Sequence, residues 1–586
     1  MRKAISVVLL IAFVAVLASA CAKTPETPPV VEVPAEPKVF RFSDTSDAKS
    51  LNTHNDVNTI LQDIMLYVHS SLYRLVPTAD GQAAVYIGDL AAGDPVQMDG
   101  EGYVWRISLR EEAKWHNGEP INADSIMYSF KMLIDPHLGN AMANFFYDRE
   151  IQIVNGFEYY TQAQEGKPAV AWEDVGIKKV DEYTIELTTK QRYRAEDVKR
   201  HFTDRSLFPV YEAMYEAGMN TSRTVTTYGA SLSDWMGAGP FYFETWNQDA
   251  NRVYVKNPDH WLADYFHFDR VEVRVTPDRN ARVQMWESGE LDVMGLDSVT
   301  LETYRDDPRT LDYIGITTQH IDINSLNTKN PILQTMNFRK AMYWAMDRAE
   351  IATLVGGVPA PYYINSQAGA YPELGITYRM TDAAKAVVPA NNGFDPVKAK
   401  EYFEAALAEV GQTSATVELM YSDTNVGTRL VGEYLQQRLP EIFGAGKFTM
   451  TLRSVPSASF TATKNFKQDP NSFDMAFGGW GASLSRVYPY AALQYFRDAY
   501  ASRPNSFISQ DFDDQYAACT AENVRINPDL MVQMTAELES IYLRDVVNVP
   551  LYENVYYMMY AENIVLPVAK YIPGLGYGTM FSDIKN

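Results

Sequence analysis

A mixed α/β (α+β) chain with more than one sheet is the fold class this sequence predicts, and three observations carry it. Strand-like and helix-like stretches follow one another along the whole chain without an internal repeat. At 586 residues the chain is several times the size of a typical domain, so two or three lobes are expected in place of one core. Hydrophobic residues make up 46% and charged residues 21%, an ordinary globular balance that confines disorder to ends and linkers.

The globular part begins at Lys38, where Val39-Phe40-Arg41-Phe42 alternates like a strand entering a sheet. Ile60 to Leu75 carries Ile60, Ile64 and Val68 at helical spacing before Leu72-Tyr73-Arg74-Leu75. Tyr103 to Arg110 alternates again, and Asn117-Gly118 suits the positive φ of the turn that follows. Asn122-Ala123-Asp124 then caps a helix with Ile126, Phe130 and Leu133 on one face. Further strands are expected at Tyr183 to Thr188, Phe241 to Trp246 and Arg270 to Val275, and a helix at Asn280 to Ser288.

The later half is more helical. Asn337 to Val355 reads as one helix with Phe338, Met342, Ala345 and Ile351 toward a core. Asp395-Pro396 supplies N-cap and first position for a helix through Val410, and Gly411 stops it. Val417 to Tyr421 is a strand, Gly427 to Leu439 a helix, and Phe448 to Val455 and Phe473 to Phe477 two more strands. A helix over Pro528 to Leu543 and strand-like pieces around Val549 and Tyr556 close the chain.

Ahead of this lies a targeting segment. Arg2 and Lys3 precede an uncharged apolar run from Ala4 to Leu17, too short to span a membrane comfortably, so residues 1–20 read as a secretory signal peptide. Leu17-Ala18-Ser19-Ala20-Cys21 resembles a bacterial lipobox with Cys21 as the lipidated residue, while Ala18-x-Ala20 also suits an ordinary signal peptidase. The Pro-, Glu- and Thr-rich stretch that follows Cys21 favours the lipoprotein: residues 21–37 read as a disordered tether, and a tether implies an anchor. Cleavage would leave only Cys21 and Cys519, which excludes a disulfide framework and a cysteine zinc site. Cys519, in a helical context, reads as a buried apolar residue.

The formal charge of −23 becomes −25 once Arg2 and Lys3 are removed, and neither value suits a nucleic-acid surface, which needs a basic face. The eight His residues are scattered, so no metal site is expected. Gly444-Ala445-Gly446-Lys447 lacks the earlier Gly and the following Ser or Thr of a phosphate-binding loop. No cofactor is expected. The 38 Tyr and 9 Trp are more than a core alone calls for, and an aromatic-lined cavity would use some of them.

The segment FDMAFGGWGASLSRVYPYAALQYF, residues 473–496, has the order such a cavity wall requires. A strand breaks at Gly478 and Gly479, exposes Trp480, and leads through small and hydroxyl residues into tyrosines. The plainer reading is a surface loop with a core Trp.

Several co-linear motifs decide between them. YVWRISLREEAKWHNGEPINADSIMYSFKML, with His116, Gly118 and Asp124, resembles the signature strand, turn and helix of the large extracellular solute-binding proteins, family 5. GAGPFYFETWNQDANRVYVKNPDHW, VQMWESGELDV, NTKNPILQTMNFRKAMYWAMDRAEI and FDPVKAKEYFEAAL resemble that family's later motifs in order. The resemblance implies a two-lobed periplasmic-binding-protein-like fold of type II, cluster C, with an extra subdomain and an interlobe ligand cleft. By analogy, 38–90, 221–320 and 546–586 form lobe I, 91–220 the extra domain, and 321–545 lobe II. It also implies a monomeric, non-enzymatic receptor, lipid-anchored to the membrane at the periplasmic or extracytoplasmic face, that delivers its solute to an ABC permease and its separate ATPase.

The expected ligand-binding residues are Trp480, Gly481, Ser483, Tyr488 and Tyr490. Peptide binders of the family place an Asp three residues after the Trp, where it pairs with the ligand's ammonium; here Ser483 stands in that position. A hydroxyl cannot neutralise a buried ammonium, so either another acid reaches the cleft or the ligand lacks a free amine. A peptide is the expected solute and an oligosaccharide the alternative. Gly481-Ala482-Ser483-Leu484-Ser485 also approaches a hydrolase nucleophile elbow, but the final Gly is missing and no His follows His320.

Overall fold

The computed structural model describes residues 36–585 apart from 149–150, 372–373, 465–468, 482–487 and 498–508. Residues Lys38–Lys585 form one compact unit.

Strand β1 (Val39–Asp44) enters the first sheet, and α1 (Thr59–Val68) packs beside it, capped by the Asn58 side chain. Leu61, Ile64, Met65 and Val68 make the buried stripe of α1, leaving Gln62, Asp63 and Leu66 exposed. A hairpin of β2 (Tyr73–Pro77) and β3 (Ala84–Gly88) follows.

The next stretch builds a sheet of its own, ordered β4-β5-β7-β6, from β4 (Val96–Gln97), β5 (Val104–Ser108), β6 (Ile177–Asp181) and β7 (Thr184–Thr188). Helix α2 (Ala123–Leu133) starts at an Asn122 capping box and buries Ile126, Phe130 and Leu133 in a core shared with Trp105 and Leu187. Helix α3 (Ala195–His201) leads back to the first sheet, completed by β8 (Phe241–Asn247), β9 (Asn251–Lys256) and β10 (Arg270–Val275) in the order β1-β10-β9-β8. Gly239 lets the turn before β8 lie against the end of α1: a Cβ there would sit 2.2 Å from the His69 nitrogen.

After α4 (Arg279–Glu287) and β11 (Val293–Leu296) comes β12 (Thr310–Ile323), fourteen residues long. The sequence between Asn337 and Val355 makes two helices, α5 (Met336–Ala345) and α6 (Arg348–Val355), where one was expected. Asp347 breaks it, because its side chain accepts from the Glu350 N–H and so caps a new helix. Then follow β13 (Gly357–Pro359), the small ladder of β14 (Gly369–Tyr371) and β15 (Ile376–Thr377), α7 (Pro396–Glu409), β16 (Ala415–Ser422), α8 (Val426–Phe443) and β17 (Phe448–Val455).

Strand β18 (Met475–Gly481) does not break at Gly478 as the sequence suggested. It runs on through Gly479 and Trp480, paired with β12 throughout. The absent side chain explains this: a Cβ on Gly478 would lie 2.5 Å from His320 Nε2, where Lys464 pairs with Asp322 and the His320 ring lies against the same carboxylate. Helices α9 (Gln510–Cys519) and α10 (Pro528–Asp545) precede β19 (Val549–Tyr560), a single strand where two pieces were expected. Cys519 is buried in α9, as its context suggested, and burial pushes its thiol up to about 12. The short ladder of β20 (Ile564–Val565) and β21 (Asp583–Ile584) ends the fold, and Asp583 pairs with Lys38 at 2.6 Å.

β12 and β19 organise the large sheet, ordered β11-β19-β12-β18-β16-β17 with β13 also on β19. They run antiparallel, the first half of β12 pairing with the second half of β19 from Thr310↔Met559 to Ile314↔Val555; the register then shifts and resumes at Thr318↔Glu553. On one side of that shift β19 carries β11, and on the other β12 carries β18. The pair of strands therefore crosses between two lobes.

Candidate functional site

The two crossover strands fix where a cleft between lobes must open. At the break, a Cβ on Gly315 would meet the Tyr556 ring at 2.3 Å, and the Gly315 carbonyl accepts from Asn365 Nδ2 at 3.0 Å. Beside it Glu553 is fully buried and accepts from the Ser366 N–H at 2.7 Å and the Ser366 hydroxyl at 2.6 Å. Burial outweighs those bonds and lifts the Glu553 carboxyl to about 7. The end of β18 lies at the same place, with Trp480 opposite Thr318 and Gly481 opposite Thr317.

Of the five residues expected in the cleft wall, Gly481 is thus at the crossover. Trp480 has its backbone there, but its side chain lies outside what the structure describes. Ser483 lies outside the described residues, as does Cys21. Tyr488 and Tyr490 are buried, stacked on each other at 5.4 Å and 6° within the core that holds Phe512 and Tyr542. Sequence reasoning took the tyrosine cluster for ligand-contact surface; both rings pack in this core, and the Tyr488 hydroxyl donates to Asp197 Oδ2 of α3 at 3.4 Å.

That contact belongs to a wider bridge that sequence reasoning missed. Arg525 sits between Tyr193 and Tyr488, its guanidinium carbon 4.6 and 5.1 Å from the two ring centres. The Tyr103 hydroxyl donates to the Glu522 carboxylate at 2.8 Å. Asp197 is held by Arg194 at 2.8 Å. Residues more than 300 positions apart are joined here, and no local pattern marks them.

A cavity of about 550 Å³ opens beside the crossover strands, on the side of the first sheet. The exposed face of α1 forms one wall, with Asp44 of β1; Tyr313 of β12 and Tyr560 of β19 form another, and Tyr571 and Tyr577 close it. Tyr313 stacks on Tyr571 at 4.5 Å and on Tyr556 at 5.5 Å. Asp44 pairs with Arg252, which is buried and also donates to Asp47 at 2.6 Å. Asp63 carries no hydrogen bond or ion pair among the described residues; loss of water around its carboxyl where it faces the cavity, then the nearby Asp44 charge, raises it to about 6. The family-like His116 is neutral: burial depresses it to about 4, and its Nε2 accepts from the Gly239 N–H at 3.0 Å. Among the described residues no group of three or more His, Cys, Asp or Glu is placed to hold a metal ion.

Two lobes joined by a crossover ribbon, with a cavity against it, define a protein built to enclose a solute. The chain belongs to the bacterial extracellular solute-binding proteins, family 5, whose middle-region model matches residues 86–502. It is 24% identical over 505 residues to the dipeptide-binding protein of Lactococcus lactis subsp. cremoris, covering 83% of this chain and 84% of that one. Among solved structures it is similar to Listeria monocytogenes OppA bound to peptide, with a TM-score of 0.64, 21% identity, and coverage of 94% of this chain and 100% of that one. The unliganded open form of the periplasmic murein tripeptide binding protein MppA aligns with a TM-score of 0.72, 16% identity, and 94% and 98% coverage. These likenesses confirm the two-lobed fold expected from the sequence.

Proposed function

We propose that this chain is the solute-binding component of an ABC-type importer for peptides, and that it acts by enclosure and without catalysis. A peptide held between the lobes stabilises the closed form by touching both sides at once, and a separate permease reads that form. The observation that carries this reading is the crossover ribbon with its register break at Ile314 and Thr318, a joint about which the lobes can rotate. The dipeptide- and oligopeptide-binding names of the relatives supply the solute class. Cys21 is the lipid anchor and residues 21–37 the tether; the lobe boundaries follow the family's division. Among the described residues no helix is long and apolar enough to cross a membrane.

Ser483 in place of an acid favours a second reading, an oligosaccharide ligand. Native mass spectrometry of the protein purified without added ligand separates the two. Co-purified peptide masses are expected, and a hexose-polymer mass in their place would overturn the peptide reading.

A further inference from the structure

The cavity against α1 contains a carboxylate with no ion-pair partner among the described residues. Asp63 stands on the exposed face of α1 and lines the cavity, without hydrogen bond or ion pair among the described residues. The charges that act on it are Asp44, Arg252 and Arg205. Arg252 is already divided between Asp44 and Asp47, and Arg205 donates to the carbonyl of Asn58 at 2.5 Å. Asp44, Asp47 and Asp63 thus share one adjacent buried guanidinium, and this end of the cavity is short of positive charge.

The other charged groups of the lining do not correct that. Arg74 is spent on Asp89 at 2.9 Å and on the carbonyls of Leu66 and His69. Arg200 acts on Tyr86 and is not among the charges felt by Asp63, and Asp204 caps the Ser206 N–H. Tyr67, Tyr313 and Tyr560 supply aromatic wall, a surface that adds its own attraction for an organic cation. Tyr73, in the same lining, is fully buried with a hydroxyl that has no partner. A pocket of this size with one unpaired acid and aromatic walls selects a ligand that brings its own positive charge.

We infer that Asp63 is the ammonium-binding residue of this protein, taking the α-ammonium of an amine-bearing solute in the cavity between α1 and the crossover strands. The acid stands on α1, beside the first sheet, so the acid missing from the sequence at Ser483 is compensated from another part of the chain. The identity of the solute rests on the peptide reading; the cavity and its charge do not.

The test is selection from a library of tri- to pentapeptides, half of them N-acetylated, by the full folded receptor after removal of co-purified ligand. Bound peptides are identified by mass spectrometry for the parent protein and for Asp63→Asn. The parent is expected to enrich free-amine peptides about tenfold or more over acetylated ones, and Asp63→Asn to lose most of that preference. Thermal melts establish that the variant is folded, which is expected because Asp63 holds no hydrogen-bond or ion-pair partner among the described residues. Equal enrichment by the parent, or an unchanged preference in Asp63→Asn, would overturn the assignment while leaving the peptide reading in place. Retention of no peptide by either protein would overturn both.

Discussion

The guanidinium of Arg525 lies 4.6 Å from the centre of the Tyr193 ring, joining two parts of the chain separated by more than 300 residues. Tyr488 contacts the same guanidinium from another side and bonds Asp197, so one cation ties α3 and its neighbours to the helical layer around α10. A desolvated cation–π contact is worth ~2 kcal/mol. That is enough to move a closure equilibrium between states a few kcal/mol apart.

Replacement of Arg525 by Leu is therefore expected to shift the unliganded protein toward an open form. Small-angle scattering would register a larger radius of gyration, with solute affinity weakened by about tenfold. An unchanged radius would mean that the bridge is ornamental to closure.

Asp63 gives a prediction about stability as well as binding. Its carboxyl is raised from about 4 for a free aspartate to about 6 in the fold. Between those values the folded chain keeps a proton that the unfolded chain has lost, so stability falls as pH rises through the window. At pH 7 Asp63 thus costs stability, ~1 kcal/mol once solvent in the cavity is allowed for. Asp63→Asn should melt higher than the parent at pH 7 and equally at pH below about 4. Equal melting at both would show that the carboxylate is already neutralised.

Glu553 follows the same sign over a different range. Its pKa rises from about 4.3 to about 7. The folded chain binds the extra proton between these limits, so Glu553 subtracts stability as pH climbs from about 4 to 7, by ~1.4 kcal/mol for each pH unit crossed. Glu553→Gln keeps an acceptor for the Ser366 N–H and should flatten that part of the stability–pH profile. Chemical denaturation at a series of pH values would read it.

Arg348, at the start of α6, is a deeply committed cation. It is fully buried, donates to the carbonyls of Pro550 at 2.7 Å and Asn392 at 2.8 Å, and lies 4.3 Å from the Tyr343 ring centre. Burial pulls its pKa down to about 10. Arg348→Met leaves those carbonyls unpaired and should cost ~3 kcal/mol in urea unfolding. A loss below ~1 kcal/mol would show that water replaces the guanidinium.

Much of the scaffold was legible because local chemistry decides it. Asn122 and Asp395 cap the helices they announced, and Arg270–Val275 and Phe448–Val455 are strands at the residues where alternation placed them. The failures are equally physical. Apolar periodicity ran through Met346 unbroken, and only the Asp347 side chain, bonding its own backbone, splits the helix. Gly478 and Gly479 looked like a strand's end because glycine usually is one, whereas here it clears space for His320 and Asp322. The site was less legible than the fold. Asp63 is one acid among 74 acidic residues, and what distinguishes it, a cavity and a missing partner, is produced by elements far apart in sequence.

The ion pair of Lys38 with Asp583 has an architectural consequence. Lys38 and Asp583 bring the two ends of the described fold to one spot, so a pull on the amino-terminal segment enters the body at a single corner of the first sheet. A circular permutant joining Lys585 to Lys38 through a short glycine linker, with new ends in an exposed loop, should keep its solute affinity. The lobes would then be free to swing whichever way the molecule is held.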